Sequence, residues 1–191
     1  MHREVVASDM PSQNPNTSLN RALCVDYDGT YIRTDAFFEG LTRLLFRRPQ
    51  RLFQLPLQLG KGRAHTKLWV WENSRDLMRV ELFPVAPEVA ALIGEARDQG
   101  RVVDLVSASP QSLLDSEPTI TERFDAVLGP EGGSNLKAEA KADRLHLRYP
   151  GGFDYIGNSR ADIPVWRKAQ GRYGIGVSRA VRNEADQNGL N

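Results

Sequence analysis

Two aspartates two residues apart, Asp26 and Asp28 in the stretch DYDGT, follow a compact apolar run that extends from Ala22 to Val25. Side chains alternate along a strand, so an i, i+2 pair faces one side. Gly29 permits a sharp exit from such a strand, and Thr30 adds a hydroxyl. Two close carboxylates repel unless one is protonated or a cation lies between them. The pattern suits one carboxylate as nucleophile and the other as acid or base, with a metal ion screening both from an incoming phosphate. The plainer reading of the same residues is a strand followed by an acidic turn.

Other chemically capable residues fall at similar places. Ser107 ends the run RVVDLVS, and GNSRAD, with Asn158 and Asp162, follows an apolar run around Ile156. SNLKAEAKADRL offers Lys137 and Lys141, four residues apart and able to share a helical face. Further apolar runs lie around Val127 and Ile175, and helix-like stretches cover 87–99, 111–123, 138–148 and 161–170. Strands alternating with helices predict an α/β, Rossmann-like parallel sheet with helices on both faces. In such sheets ligands bind beyond the carboxyl ends of the strands, where these polar groups stand.

Residues 34–85 break the rhythm, separating the first two strands by more than a crossover helix requires. They are read as a small, largely helical cap inserted after the first strand, with Pro49 and Pro56 dividing it into short segments. The core is then 21–33 and 86–178, with a flexible tail at 1–20 and a polar tail at 179–191. From Gly40 to Trp71 there are seven Lys or Arg residues and no Asp or Glu. Since the whole chain is only +1, six net negative charges lie elsewhere. The basic residues alternate with Leu and Phe, which suits either contact with an anionic membrane surface or an ordinary amphipathic helix with a solvated face. The near-neutral balance gives no chain-wide reason to expect nucleic acid. One cysteine, Cys24, excludes an internal disulfide and a multi-cysteine metal site, and suits a reducing cytoplasm.

DYDGT, Ser107, a following lysine and GNSRAD, in that order, resemble the four signatures of the haloacid dehalogenase-like phosphatases, across about residues 21–177. The resemblance implies that Asp26 attacks phosphorus to form an aspartyl-phosphate. Asp28 would protonate the leaving alcohol and then activate water. Ser107 and a lysine would bind the phosphoryl oxygens. Asp26, Asp28 through its backbone carbonyl, Asn158 and Asp162 would surround Mg2+. An acid at position 28 favours a phosphatase over the dehalogenases, whose halide leaving group needs no proton. The spacing of Lys141 and Leu145 resembles the phosphoserine phosphatase branch and favours Lys141 over Lys137, which becomes an auxiliary phosphate contact. Most members carry Asp where this chain has Asn158, so the site loses one formal negative charge.

NLKAEAKADRL, FDYIGNSRADIPVW and the Arg/Leu-rich cap are also similar to the phosphatase-like domain of some polyprenyl transferases. That likeness implies a polyprenyl or other lipid-linked phosphate substrate, with a small phosphorylated metabolite as the alternative. The location is cytoplasmic, with or without membrane association. A phosphotransferase and an accessory domain disabled at Asn158 remain competing functions. Cys24 reads as a buried strand residue, and His2, His65 and His146 as surface residues without ligand spacing. Trp69, Trp71 and Trp166 read as packing residues.

Overall fold

The computed structural model describes residues 21–130, 136 and 138–190. Its sheet is parallel throughout, in the order β3-β2-β1-β4-β5. The strands are β1 (Ala22–Asp26), β2 (Val103–Val106), β3 (Ala126–Leu128), β4 (Phe153–Gly157) and β5 (Gly171–Gly174). Every residue of β1, β2 and β4 is buried, as in a sheet covered on both faces.

The two-residue alternation sorts these side chains into separate cores. Leu23 and Val25 of β1 pack with Leu105 of β2 and with Val89 and Ile93 of helix α4 (Pro87–Asp98). Cys24 faces the other way, among Phe153, Tyr155, Leu145 of α7 (Glu139–Arg148) and Trp166 of α8 (Ile163–Lys168). Cys24 is thus a packing residue.

Between β1 and β2 the chain forms the expected helical cap. Helix α1 (Ala36–Arg47) starts where the Asp35 side chain accepts hydrogen bonds from the amides of Phe37 and Phe38. A 3-10 turn begins at Pro49, α2 (Leu55–Gly60) carries Pro56 in its first turn, and α3 (Arg63–Ser74) returns against α1. Leu44, Trp69 and Val70 form the seam. Gly40 lets the helices approach, since a Cβ there would meet Ser74 Oγ at 2.7 Å and Val70 Cγ1 at 3.0 Å. The chain enters and leaves the cap side by side: Ile32 and Val85 form an antiparallel bridge, and Arg33 N donates to Pro84 O at 2.8 Å.

Three features differ from the sequence-based expectation. The 111–123 stretch divides into α5 (Gln111–Leu114) and α6 (Pro118–Arg123), because Pro118 can begin a helix but cannot continue one. The last strand lies earlier than the apolar run around Ile175, pairing Gly171 to Gly174 with Asp154 to Gly157. Residues expected as a second polar tail contain α9 (Arg179–Gln187), whose Val181, together with the following Leu190, packs against the core around Cys24. Among the described residues, no helix is long and apolar enough to cross a membrane.

Candidate active site

Three adjacent strands end at one edge of the sheet. Asp26, the last residue of β1, is in register with Val106 of β2, so Ser107 is the next residue beyond it. On the other side β4 ends at Gly157, followed by Asn158. After Asp26 the backbone turns tightly: Tyr31 N donates to Asp26 O at 3.1 Å, and Gly29 adopts a φ of +73°. Gly29 is required twice, because a Cβ there would lie 2.2 Å from Asn158 Nδ2. The amide of Asn158 therefore packs directly against the DYDGT turn.

Asp26 is buried and ion-paired. Lys141 Nζ, projecting from α7, donates to its Oδ1 at 2.6 Å, and Thr30 Oγ1 lies 3.4 Å from its Oδ2. Burial nevertheless pushes the Asp26 carboxyl up to about 7; Lys141 opposes the shift, while Asp162 and Asp28 add to it. Burial works against the charged Lys141 too, but Asp26 and Asp162 outweigh it and hold the ammonium above its ordinary pKa. The lysine also donates to Tyr155 Oη at 3.0 Å.

Asp162 closes the same network from behind. Its Oδ1 accepts from Tyr155 Oη at 2.7 Å and lies 3.9 Å from Lys141 Nζ. Its Oδ2 accepts from Asn158 N, Ser159 N and Ser159 Oγ at 3.1, 2.9 and 3.0 Å. Both oxygens are engaged within the protein, and the residue is 1% exposed. Asp162 thus organises the loop after β4 and the lysine, an arrangement unlike that of an open metal ligand.

Asp28 sits between core and cap. Its Oδ1 accepts from the amide of Ala36, the first residue of α1, at 2.9 Å, and its Oδ2 accepts from Ser109 Oγ at 2.6 Å. Lys67 Nζ of α3 lies 4.0 Å from Oδ2. Burial raises the Asp28 pKa, with Lys67 opposing. Ser107 is fully buried, and its Oγ accepts from Ser109 N at 2.9 Å. A pocket beside these groups is lined by Phe37, Lys67, Val70, Trp71, Pro110 and Leu113, among others.

The structure therefore brings Asp26, Asp28, Ser107, Lys141, Asn158 and Asp162 to one edge, whereas Lys137 lies outside the described residues. Sequence reasoning missed Lys67, Ser109 and Tyr155. Ser109 had a signal, as a second hydroxyl two residues after Ser107. Lys67 was hidden in the basic cap, and Tyr155 was read only as strand. His65 shares a hydrogen bond with Gln58 at 2.9 Å, and His146 is exposed. Among the described residues, no group of three or more His, Cys, Asp or Glu side chains is placed to hold a metal ion.

The architecture matches known proteins in fold. A HAD-family hydrolase from Salmonella enterica serovar Typhi aligns with a TM-score of 0.60 at 14% identity, over 86% of this chain and 65% of that one. A substrate-bound phosphoserine phosphatase aligns with a TM-score of 0.61 at 15% identity, over 87% and 91%. The chain thus shares the fold of these hydrolases. No family model matches it. An uncharacterized protein of Sinorhizobium fredii, y4nM, is 35% identical over 156 residues, which is 81% of this chain but 30% of that protein. The chain spans less than a third of that relative's length.

Proposed function

We propose that the chain is a hydrolase of phosphomonoesters, with Asp26 as nucleophile. The observation carrying this reading is the buried Asp26–Lys141 pair at the carboxyl edge of the sheet, with a second carboxylate, Asp28, two residues on. A carboxylate oxygen of Asp26 attacks phosphorus while the bond to the leaving oxygen breaks, giving an aspartyl-phosphate. Protonated Asp28 donates its proton to that leaving oxygen, which departs as an alcohol. Asp28, now ionised, takes a proton from a water molecule that attacks the phosphorus of the intermediate, releasing phosphate and restoring Asp26. Lys141 and the Ser107 hydroxyl stabilise charge on the phosphoryl oxygens, and Lys137 is an auxiliary contact in the same reading.

The oxygen donors here fit a magnesium ion: the Asp26 carboxylate, the backbone carbonyl of Asp28 and the Asn158 side-chain oxygen. Burial is the largest cause of the raised Asp26 pKa, and Asp162 and Asp28 add to it, which supports a site able to take further positive charge. Mg2+, when bound, neutralises charge on Asp26 and on the transferring phosphoryl group. Asp162 holds Lys141 and the 158–159 backbone in place and acts behind the metal shell.

The substrate in this reading is a polyprenyl or other lipid-linked phosphate, with a small phosphorylated metabolite as the alternative. A cytoplasmic location belongs to the same reading. Asn158 favours one competitor, a weakly active or non-catalytic accessory domain of a prenyltransferase system, because the donor set is short of one carboxylate. Phosphate release from a panel of metabolite and polyprenyl phosphates, with magnesium and with EDTA, separates the two. Magnesium-dependent release supports hydrolysis, and a silent panel supports the accessory role. Product analysis with acceptor alcohols tests for phosphotransfer.

A further inference from the structure

The cap carries large apolar side chains on the wrong side of a helix. In α1 the buried residues are Ala36, Gly40 and Leu44, one stripe at helical spacing. The opposite face should then be polar. Instead it presents Phe38, Leu45 and Phe46, with Phe38 62% and Phe46 77% exposed. The chain that follows continues the pattern with Phe53, 89% exposed, and with Leu57 and Leu59. Elsewhere among the described residues, exposed large hydrophobics are isolated, as at Leu82, Val102 and Leu147.

Four of the seven cations on the same segment are uncompensated. Arg43 pairs with Glu39, Arg48 with Asp76, and Lys67 faces Asp28. Arg47, Arg51, Lys61 and Arg63 are exposed and make no ion pair among the described residues. A surface that sets exposed phenyl and leucyl groups among unpaired cations suits an anionic interface with an apolar interior. A second copy of the chain suits it less, since a symmetric contact would press like charges together. A nucleic acid would answer the cations and leave the phenyl rings in water.

We infer that the outer face of the cap, from Phe38 to Arg63, docks on anionic lipid bilayers, with Phe46 and Phe53 entering the acyl boundary. The cap also supplies Phe37, Lys67, Val70 and Trp71 to the pocket beside Asp28, so the docking face and the pocket share helices α1 and α3. Docking itself does not depend on the phosphatase reading, and the Asp26→Asn variant binds vesicles as the parent does.

The test is sedimentation of the full chain with phosphatidylglycerol-containing vesicles and with pure phosphatidylcholine vesicles, at low and moderate salt. The parent binds the anionic vesicles in preference to the neutral ones. Replacing Phe46 and Phe53 together by Ser, at exposed positions where folding is unaffected by circular dichroism, weakens partitioning by roughly tenfold or more. Replacing Arg47, Arg51, Lys61 and Arg63 by Gln weakens it at low salt by on the order of a hundredfold. The inference is overturned if the folded parent ignores anionic vesicles at low salt, or if the Ser variant binds as tightly as the parent. It is equally overturned if the parent is a lipid-indifferent dimer that the Ser variant converts to monomers.

Discussion

Two buried ionic clusters sit at opposite ends of β4, and they are built on opposite balances. At the amino end, the single carboxylate of Asp154 accepts from Arg21 Nε at 2.9 Å, Arg101 Nη2 at 2.5 Å and the Gly171 amide at 2.9 Å. Two guanidinium groups meet one carboxylate, and Arg101 also donates to Arg21 O, so β1, β4, β5 and the start of β2 are tied together. At the carboxyl end the ratio is reversed: Asp26 and Asp162 share one buried lysine, with Asp28 close enough to raise the Asp26 pKa further. The first cluster asks for nothing more. The second is short of positive charge, which is how a site looks when a cation completes it.

Substitutions that remove one carboxylate from each cluster separate these roles. Asp26→Asn should abolish turnover, by at least about a thousandfold, because an amide is not a carboxylate nucleophile. Its circular dichroism spectrum should match that of the parent, and substantial phosphatase activity in the pure variant would contradict the assignment. Asp154→Ala should do the reverse, costing about 3–5 kcal/mol of stability by stranding two buried guanidinium groups. Urea denaturation measures the loss, and turnover per folded molecule should stay at the parent level. Asp28→Asn should slow turnover by roughly 10²–10⁴. The loss should be smaller for aryl than for alkyl phosphates, since a good leaving group needs less help from an acid. Equal losses in the bond-breaking step would remove Asp28 from the acid role.

The smallest effect tests the charge deficit itself. Asn158→Asp should tighten magnesium binding about tenfold, or roughly 1.4 kcal/mol, since magnesium prefers a carboxylate oxygen. Calorimetry at pH 8 is the proper comparison. A raised Asp26 pKa means that a proton competes with the metal below about 7, so affinity should fall as the pH drops from 8 to 6. Unchanged or weaker binding in the Asp variant would take Asn158 out of the metal shell.

The fold was largely legible because β1, β2 and β4 are buried on both faces, which writes them as short apolar runs with polar residues at their ends. Legibility failed where burial is one-sided or partial. The residues of β5 are all half-buried, so the apolar signal drew attention to Ile175, just past the strand's end. Helix α9 buries none of its residues fully, so its segment read as a polar tail. In the candidate site, Asp26, Asp28 and Ser107 were visible because each sits at a strand end. Tyr155 and Lys67 were not, because what matters about them is contact across the fold: Tyr155 with Lys141 and Asp162, Lys67 with Asp28. For Asp162, spacing revealed the residue but not that its carboxylate is already occupied.

Asp28 holds the first amide of α1 with one oxygen and the Ser109 hydroxyl with the other. The group assigned to proton transfer is therefore also a pin through the joint between cap and sheet. A cap that swings outward takes Ala36 away from that oxygen, and a cap that settles back restores the contact. A proton on Oδ2 leaves Oδ1 able to go on accepting from Ala36, while the Ser109 hydroxyl turns from donor to acceptor. The seating of the cap and the surroundings of the acid thus meet in one carboxylate.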